Sequence, residues 1–387
     1  MPATESPSGA RRWLGRLGVA SASLLVALAA AELIVRASGY EPLYSDMGPR
    51  YLHVGDPELG VRLRPGFEGV HVHPEFEVPV AVSLQGFRDR FYPPKQEGVV
   101  RILSLGDSFA FGFGVEQDEA YCEQLEARLN ARGDGRAYEV VNGGCSSYST
   151  AQMLTLLDRR VDELRPDLVL FTFLYTDDLE TNVSGNLVER GGYALSAGGA
   201  ALIDSSALRR FAIEHSVLLT TVLVQWYVAT HVGVNLSRPV LPPRAPDDPL
   251  VPVRWELLSE APDARAAQLW PRTEELIGAF AARARAAGAE PVLVNIALPF
   301  QFDEAVWRRA AAHHGIDPEA IRIDAVAAHL AALCERLGLT FVDLGAGFAQ
   351  LGLGEADFYP YNLHFKAGGH AAAARVLEKE LTARGLL

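Results

Sequence analysis

Short apolar runs alternate with stretches of helical periodicity over most of the chain after residue 98. The run VVRILSL at Val99–Leu105 is typical of a buried strand, and four later runs share its character: Tyr138–Val141, Leu168–Leu174, Pro291–Ile296 and Thr340–Val342. Between and after these runs, apolar positions recur at helical spacing in six segments: Asp118–Arg132, Thr150–Leu164, Thr273–Ala287, Glu304–His314, Pro318–Leu337 and Gly368–Arg384. Apolar strands that alternate with helices predict a parallel sheet covered on both faces.

The first strongly apolar segment lies near the N-terminus. Residues 17–35 contain one charged residue, Glu32, and three arginines precede them: Arg11, Arg12 and Arg16. As a helix this segment is about 28 Å long, close to the hydrocarbon thickness of a bilayer. The arginines predict a cytoplasmic tail over residues 1–16, with the rest of the chain exported.

Three interpretations of residues 17–35 remain open. Glu32 lies near the far interface, where a carboxylate reaches water, and this favours an uncleaved transmembrane anchor. The small residues Ala29–Ala31 favour a signal peptide that is removed. A buried helix of a soluble protein is the third alternative. The first two predict an inner-membrane protein facing the periplasm or outside, or a secreted one.

Two further segments interrupt the alternation of strands and helices. Residues 36–98 are rich in Pro and Gly with short alternating stretches, and they predict a β-rich leader before a domain at 99–387. Residues 180–269 predict an insert that contains one helical segment, Ser206–His231. Its uncharged part is too short to span a bilayer. It is interpreted as a helix packed on the domain, a lid over the site, or a membrane-surface contact through Trp226 and Tyr227.

Composition excludes several classes of protein. The chain is 49% hydrophobic and 21% charged, which excludes disorder as its main state. Its net charge of −13 argues against nucleic acid as a partner, because no broad basic surface is available for phosphates. Three cysteines in 387 residues exclude a disulfide-built scaffold and lack the spacing of metal ligands: Cys122, Cys145 and Cys334.

Candidate chemistry lies after the predicted strands. Gly106-Asp107-Ser108 follows the first strand, which predicts a serine hydroxyl at the carboxyl edge of the sheet. His364 lies beyond the last strand and can serve as its base. Gly143, after the second strand, offers a backbone N–H, and the loop Tyr175–Asp178 after the third strand forms another wall of the same pocket.

These blocks resemble those of the SGNH/GDSL hydrolases. The first block, Leu105–Val115, is similar to the membrane-anchored bacterial branch, as is the leader segment Gly86–Asp89. Val141–Gly144 is similar to the second block and His364–His370 to the last. The resemblance implies a flavodoxin-like three-layer α/β/α fold with a parallel sheet. It also implies an acyl-transfer site without metal or organic cofactor.

The resemblance implies a role for each matching residue, with two departures. Ser108 is the nucleophile and His364 the general base and then acid. The oxyanion hole comprises the backbone N–H groups of Ser108 and Gly143 and a third group, normally an Asn side chain. Asp177 takes that Asn position, and Asn362 takes the position of the Asp that orients the histidine. Both changes weaken catalysis, since each removes the group that the reaction normally uses.

Other residues can compensate for these departures. Asn142, Asn182 or Asn186 can supply the missing donor, Asp357 can orient the ring, and a protonated Asp177 can itself donate. The sequence therefore predicts an exported serine esterase that cleaves a small acyl ester, anchored in the membrane by residues 17–35. The alternatives are an acyltransferase or deacetylase acting on an exported, acylated polysaccharide, and a catalytically degenerate domain that binds envelope partners.

The remaining cysteine, aspartate and histidine candidates are predicted to have roles in packing, turns and helix ends. Cys145 is predicted to be a buried thiol, and Asp343 a turn or cap residue after the last strand. His313-His314 is predicted to end a helix, and His370 to lie near the start of the final one. His71 and His73 alternate as on one face of a strand, and a metal site there is the less favoured interpretation.

Overall fold

A computed structural model describes residues 8–40, 48–184, 187–231, 257–258 and 264–387. Its strands are β1 His53–Asp56, β2 Gly60–Leu63, β3 Glu68–His73, β4 Phe76–Ala81, β5 Val99–Gly106, β6 Ala137–Gly144, β7 Leu168–Phe173, β8 Val188–Arg190, β9 Tyr193–Leu195, β10 Glu290–Asn295 and β11 Thr340–Asp343. Its helices are α1 Ser8–Ala37, α2 Ser108–Phe111, α3 Tyr121–Asn130, α4 Thr150–Leu164, α5 Tyr175–Ser184, α6 Ala197–Asp204, α7 Ala207–His215, α8 Val217–His231, α9 Ala264–Ala286, α10 Glu304–His314, α11 Ala325–Leu337, α12 Leu344–Leu351 and α13 Ala367–Ala383.

Five of these strands form one parallel sheet in the order β11-β10-β7-β5-β6. All six residues of β7, the central strand, are buried, as expected for a strand covered on both faces. Numbered along the chain, the order is the doubly wound order of flavodoxin-like proteins, with its switch point beside β5. The predicted flavodoxin-like three-layer fold is confirmed, and the switch point is where Ser108 follows β5.

Two groups of helices cover the sheet. α3 and α12 pack against α13, while α4 and α5 pack against α9. The core between helices and sheet is built from side chains such as Leu103, Phe171 and Phe280, all fully buried. The helix predicted from Asp118 begins only at Tyr121, since residues 117–119 form a separate 3-10 turn.

The leader forms two antiparallel hairpins, β1–β2 and β3–β4. The chain divides into two compact units: Met1–Tyr44 with Ala201–Arg238, and Ser45–Ala200 with Pro239–Leu387. Both hairpins of the leader and the whole parallel sheet belong to the second unit.

The first unit combines the apolar N-terminal helix with helices of the insert. The single helix predicted over Ser206–His231 is divided at Ser216, whose backbone is extended, so α7 and α8 are separate helices. α8 packs against α1 and α7. Within the described residues, one helix is long and apolar enough to cross a membrane by length and composition, at Trp13–Ala37 in α1.

Candidate active site

Ser108 is the first residue of α2, directly after β5. The Asp107 side chain caps this helix by accepting a hydrogen bond from the Phe109 amide at 2.8 Å. The Ser108 residue is only 7% exposed. The strand end and the capped turn therefore hold the hydroxyl at the carboxyl edge of the sheet, as predicted.

His364 meets Ser108 across 256 positions of sequence. The imidazole Nε2 lies 2.6 Å from the Ser108 Oγ, a hydrogen-bond distance suited to proton transfer. The rings of Phe109 and Phe113 pack against the imidazole, with centroid separations of 4.7 and 4.3 Å. These aromatic contacts fix the ring beside the hydroxyl.

Asn362 sets the orientation and tautomer of that imidazole. Its Oδ1 lies 3.0 Å from His364 Nδ1 and also accepts the His364 backbone N–H at 2.9 Å. A backbone N–H can only donate, so the atom facing the ring is the amide oxygen. The imidazole then carries its proton on Nδ1 and presents an unprotonated Nε2 to Ser108. Asn362 thus performs the orienting part of the role that the resemblance gives to an aspartate.

The loop that carries Asn362 and His364 is held by a residue that the sequence did not single out. Glu75, in the turn between β3 and β4, accepts the backbone N–H groups of Tyr361 at 2.9 Å and Asn362 at 3.2 Å. Leu363, between the two site residues, has a left-handed backbone with φ of 60°. Such a conformation is strained for a leucine and needs surrounding support. The leader supplies part of that support.

The nucleophile's loop is held by a second leader residue, Arg88. Its buried guanidinium donates to the carbonyls of Phe111 at 3.0 Å and Val115 at 2.6 Å, and also to that of Gly112. Next to it, Asp89 accepts the backbone N–H of Asn142 at 2.8 Å. The resemblance of Gly86–Asp89 to one branch of the family was the available sequence signal, although it did not reveal these contacts.

Gly143 lies inside β6, opposite Leu105 of β5. Two residues later, the Cys145 amide donates to the Gly106 carbonyl, and amides two apart on a strand face the same neighbour. The Gly143 N–H is therefore directed at β5 within the sheet. A side chain here would meet Leu105 at 2.6 Å, so the glycine permits close packing of the two strands.

Asp177 lies in the first turn of α5, beside two other carboxyls. Burial raises its pKa, against a hydrogen bond from Thr176 Oγ1 that lowers it. Burial also raises the pKa of Asp107 well above its ordinary value, and repulsion from Asp177 and Asp178 adds to the effect. The structure thus brings the predicted third-block residue close to the Gly-Asp-Ser turn and favours its neutral form.

Asp178 plays a structural part in this region. It accepts the Thr150 amide and hydroxyl at 2.7 and 2.9 Å and the Leu174 amide at 2.8 Å. Burial raises its pKa to about 7, although these three donors favour the charged form. Asp178 therefore ties the start of α4 to the end of β7.

Of the residues predicted to compensate for the two departures from the family pattern, three hydrogen-bond to other groups and one lies outside the described residues. Asn182 accepts the Ala151 amide and donates to the Thr273 hydroxyl. Asn142 Oδ1 accepts the Gly144 amide, and its Nδ2 is buried without an acceptor among the described residues. The Asp357 carboxylate accepts the Gly354 amide. Asn186 lies outside the described residues.

The other residues named in the sequence analysis cap helices, end helices or pack in the core. Asp343 caps α12 by accepting the Gly345 amide, and His313-His314 ends α10. His370, near the start of α13, accepts the Tyr121 amide at 3.2 Å. His71 and His73 are buried on β3 against Phe76 and Phe113. Over the described ranges, no three His, Cys, Asp or Glu side chains are placed to hold a metal ion.

All three cysteines are buried thiols. Burial raises the pKa of Cys145 and Cys334 to about 12 each and raises that of Cys122 further. Thiols of this kind are protonated at neutral pH and poor nucleophiles. None of the three thiols therefore competes with Ser108 as the candidate nucleophile.

Solved structures of several esterases and hydrolases are similar to this chain. TesA is 15% identical, with 73% of this chain and 98% of TesA covered and a TM-score of 0.37. LAE5, an alpha/beta hydrolase enzyme from the metagenome of Lake Arreo, Spain, is 17% identical, with 74% and 95% covered and a TM-score of 0.40. A catalytic mutant of Axe2, an acetylxylan esterase from Geobacillus stearothermophilus, is 13% identical, with 73% and 94% covered and a TM-score of 0.39.

No curated protein sequence gives a significant match. A family model does match: the GDSL-like Lipase/Acylhydrolase family, over residues 104–372. That range is more than two thirds of the 387-residue chain and contains Ser108, Asp177, Asn362 and His364. The chain therefore belongs to the GDSL-like lipase/acylhydrolase family.

Proposed function

We propose that this protein is an exported serine esterase that cleaves a small acyl ester through an acyl-Ser108 intermediate. The observation that carries the proposal is the chain of contacts from Ser108 Oγ through His364 to Asn362, at 2.6 and 3.0 Å. The oxygen of Asn362 leaves Nε2 unprotonated, and an unprotonated Nε2 is what a general base needs.

The reaction proceeds in two halves. Ser108 Oγ attacks the ester carbonyl carbon while His364 Nε2 takes the hydroxyl proton. The tetrahedral intermediate collapses, the C–O bond to the alcohol breaks, and Nε2–H gives its proton to the leaving oxygen. Water then attacks the acyl-enzyme carbonyl while Nε2 takes a water proton. The acyl C–Oγ bond breaks, Nε2–H gives its proton to Ser108 Oγ, and the carboxylic acid is released.

The oxyanion is stabilised by the Ser108 backbone N–H and by a neutral Asp177. Ser108 is at the first turn of a helix, whose amides have no partner within the helix. Asp177 supplies an O–H donor while it keeps its proton, which its raised pKa favours. This assignment uses the carboxyl as a hydrogen-bond donor in place of the family's amide.

The substrate is small because aromatic rings crowd the nucleophile. Ser108 is 7% exposed, Phe109 and Phe113 pack against the imidazole, and Phe76 packs against Phe113. A short acyl chain fits such surroundings better than a long one. α1 holds the enzyme in the membrane, and the arginines before it place the catalytic unit on the exported side.

Labelling with a fluorophosphonate probe tests the proposal on the full-length protein. We expect covalent labelling of the wild type and none of Ser108→Ala. Ser146→Ala is the matched control, because its buried hydroxyl makes no hydrogen bond in the described part of the chain. A folded wild type that neither labels nor hydrolyses p-nitrophenyl acetate would refute the esterase and support a binding domain.

A further inference from the structure

The apolar helix α1 carries one acidic residue near its end, and this residue is engaged by another helix. Glu32 accepts the backbone N–H groups of Val217 and Leu218, each at 2.9 Å, and the Ser216 hydroxyl at 2.8 Å. Arg36, one turn later, donates to the same carboxylate at 2.6 Å. Glu32 thus caps the start of α8, where a negative charge is favourable.

The helix that Glu32 caps has an unusual surface. From Val217 to Thr230, α8 contains no charged residue. Val222 and Trp226 are more than half exposed, at 55% and 57%. A helix that is apolar all round is typical of a protein core or of a membrane, yet these two side chains are more than half exposed within the described part of the chain.

α7 continues this surface. It exposes Leu208 and Phe211, three positions apart on one side, at 53% and 54%, while Ala212 and Ile213 are buried. Arg209 and Arg210 lie beside the apolar pair. Exposed aliphatic and aromatic residues next to arginines are typical of helices that lie in the headgroup region of a bilayer.

The position of Glu32 along α1 fixes the depth of α8. The apolar span Trp13–Ala37 has 25 residues, and Glu32 is five residues before its end. Such a helix is about 37 Å long, longer than the about 30 Å hydrocarbon layer, so Glu32 lies near the outer boundary of that layer. Because Glu32 binds the first amides of α8, α8 begins at the same depth.

The length of α8 limits how it can meet the bilayer. Its 15 residues span about 22 Å as a helix, and about 20 residues are needed to cross. A helix that starts at the outer boundary and cannot cross can contact lipid only within the outer leaflet. It packs against α1, which also exposes apolar side chains, among them Leu25 at 67%.

We propose that α7 and α8 are embedded in the lipid bilayer beside α1, in the leaflet next to Glu32. The inference rests on the proposed role of α1 as a membrane anchor, and it adds a second, interfacial attachment. The insert of the domain is then a membrane element, and Glu32 satisfies the helix end that enters the lipid.

Spin-label accessibility in lipid nanodiscs tests this on the full-length protein. Single cysteines are introduced by Val222→Cys and Trp226→Cys, with Leu25→Cys as the hydrocarbon reference and Leu84→Cys, at a site 78% exposed, as the water reference. The three native thiols are buried and stay unlabelled. Fluorophosphonate labelling of each variant confirms that the catalytic unit is folded.

We expect the ratio of oxygen to nickel-chelate collision rates at 222 and 226 to exceed that at 84 by about tenfold, the ratio given by a 1.4 kcal/mol difference in partitioning. Water-like ratios at positions 222 and 226 would overturn the inference. Low collision rates with both reagents would also overturn it, because protein and not lipid would then cover the two side chains. The reference at 25 separates the two proposals, because a water-like value there refutes the anchor itself.

Variants of Glu32 test the capping contact. Glu32→Ala removes the acceptor of the α8 amides and should make position 222 more accessible to the nickel chelate, with position 25 unchanged. Glu32→Gln keeps an oxygen acceptor and should preserve most of the wild-type ratio at 222. Equal ratios in all three proteins would refute the role of Glu32 in placing α8.

Discussion

Replacing Asn362 with aspartate isolates the charge part of the triad from its geometry. Asn362 Oδ1 already accepts both the His364 amide and Nδ1–H, at 2.9 and 3.0 Å. Asn362→Asp keeps these acceptor positions and adds a negative charge beside the imidazolium that forms during acylation. We therefore expect faster turnover without a change in the ring's tautomer.

The size of the gain follows from opposing electrostatic effects. A carboxylate about 4 Å from an imidazolium stabilises it by at most about 4 kcal/mol at an effective dielectric constant near 20. Asn362 Nδ2 is buried without an acceptor in the described structure, so the new oxygen lacks a donor. The Glu75 carboxylate, which accepts the backbone N–H of residue 362, also repels the added charge. We expect kcat to rise about tenfold, which corresponds to an activation free energy lower by about 1.4 kcal/mol.

The assay is steady-state hydrolysis of p-nitrophenyl acetate by the full-length protein across pH. The acidic limb of the kcat profile should move to higher pH, since a carboxylate favours the protonated ring. Asn362→Ala, which removes the acceptor, should lower kcat at least about 100-fold. Adding Glu75→Gln to Asn362→Asp should increase the gain if Glu75 opposes it. A folded Asn362→Asp protein that is no faster would refute this account of the triad.

Three further predictions concern Asp177, Arg88 and the buried histidines. If a neutral Asp177 donates to the oxyanion, wild-type kcat falls as rising pH ionises it, and Asp177→Asn removes this fall; a fall that persists in Asp177→Asn would contradict the assignment. Arg88→Met removes the guanidinium donors from three loop carbonyls and should cost about 3 kcal/mol of unfolding free energy and lower kcat more than it changes KM, with Arg88→Lys recovering part of both. Burial lowers the pKa of His53 to about 4 and of His370 to about 3, so both stay neutral in the fold while unfolded histidines bind protons below about pH 6.5. The two rings therefore leave the free energy of unfolding unchanged above that pH and should lower it by about 2 kcal/mol each at pH 5. A fall in Tm between pH 7 and pH 5 measures this loss, and His370→Gln should reduce it.

The sheet was predictable because its strands are buried on both faces and therefore apolar throughout. Thr150–Leu164 and Glu304–His314 have the predicted bounds, since polar caps mark their starts. The break at Ser216 was missed because no Pro or Gly marks it. Glu32, 184 positions away from Ser216, binds the first amides of α8 and so stabilises the break. A contact of that range leaves no local signal.

Ser108 and His364 were predictable because each follows a strand end, and parallel strands bring such ends together. Glu75 was not, because its carboxylate binds backbone N–H groups, which every residue type supplies. The direction of the Gly143 N–H depends on strand register, and the sequence pattern does not specify register to a single residue. The tautomer set by Asn362 depends on one oxygen that accepts two donors, and only coordinates reveal that.

The contact between Glu75 and the Tyr361 amide has a consequence for biosynthesis. The two residues are 286 positions apart, so the site closes only when nearly the whole chain has been made. A nascent or truncated chain contains Ser108 for most of synthesis and lacks both His364 and the loop that Glu75 holds. If the proposed esterase activity is correct, ester hydrolysis is therefore a property of the completed polypeptide, and partial products are inert toward esters.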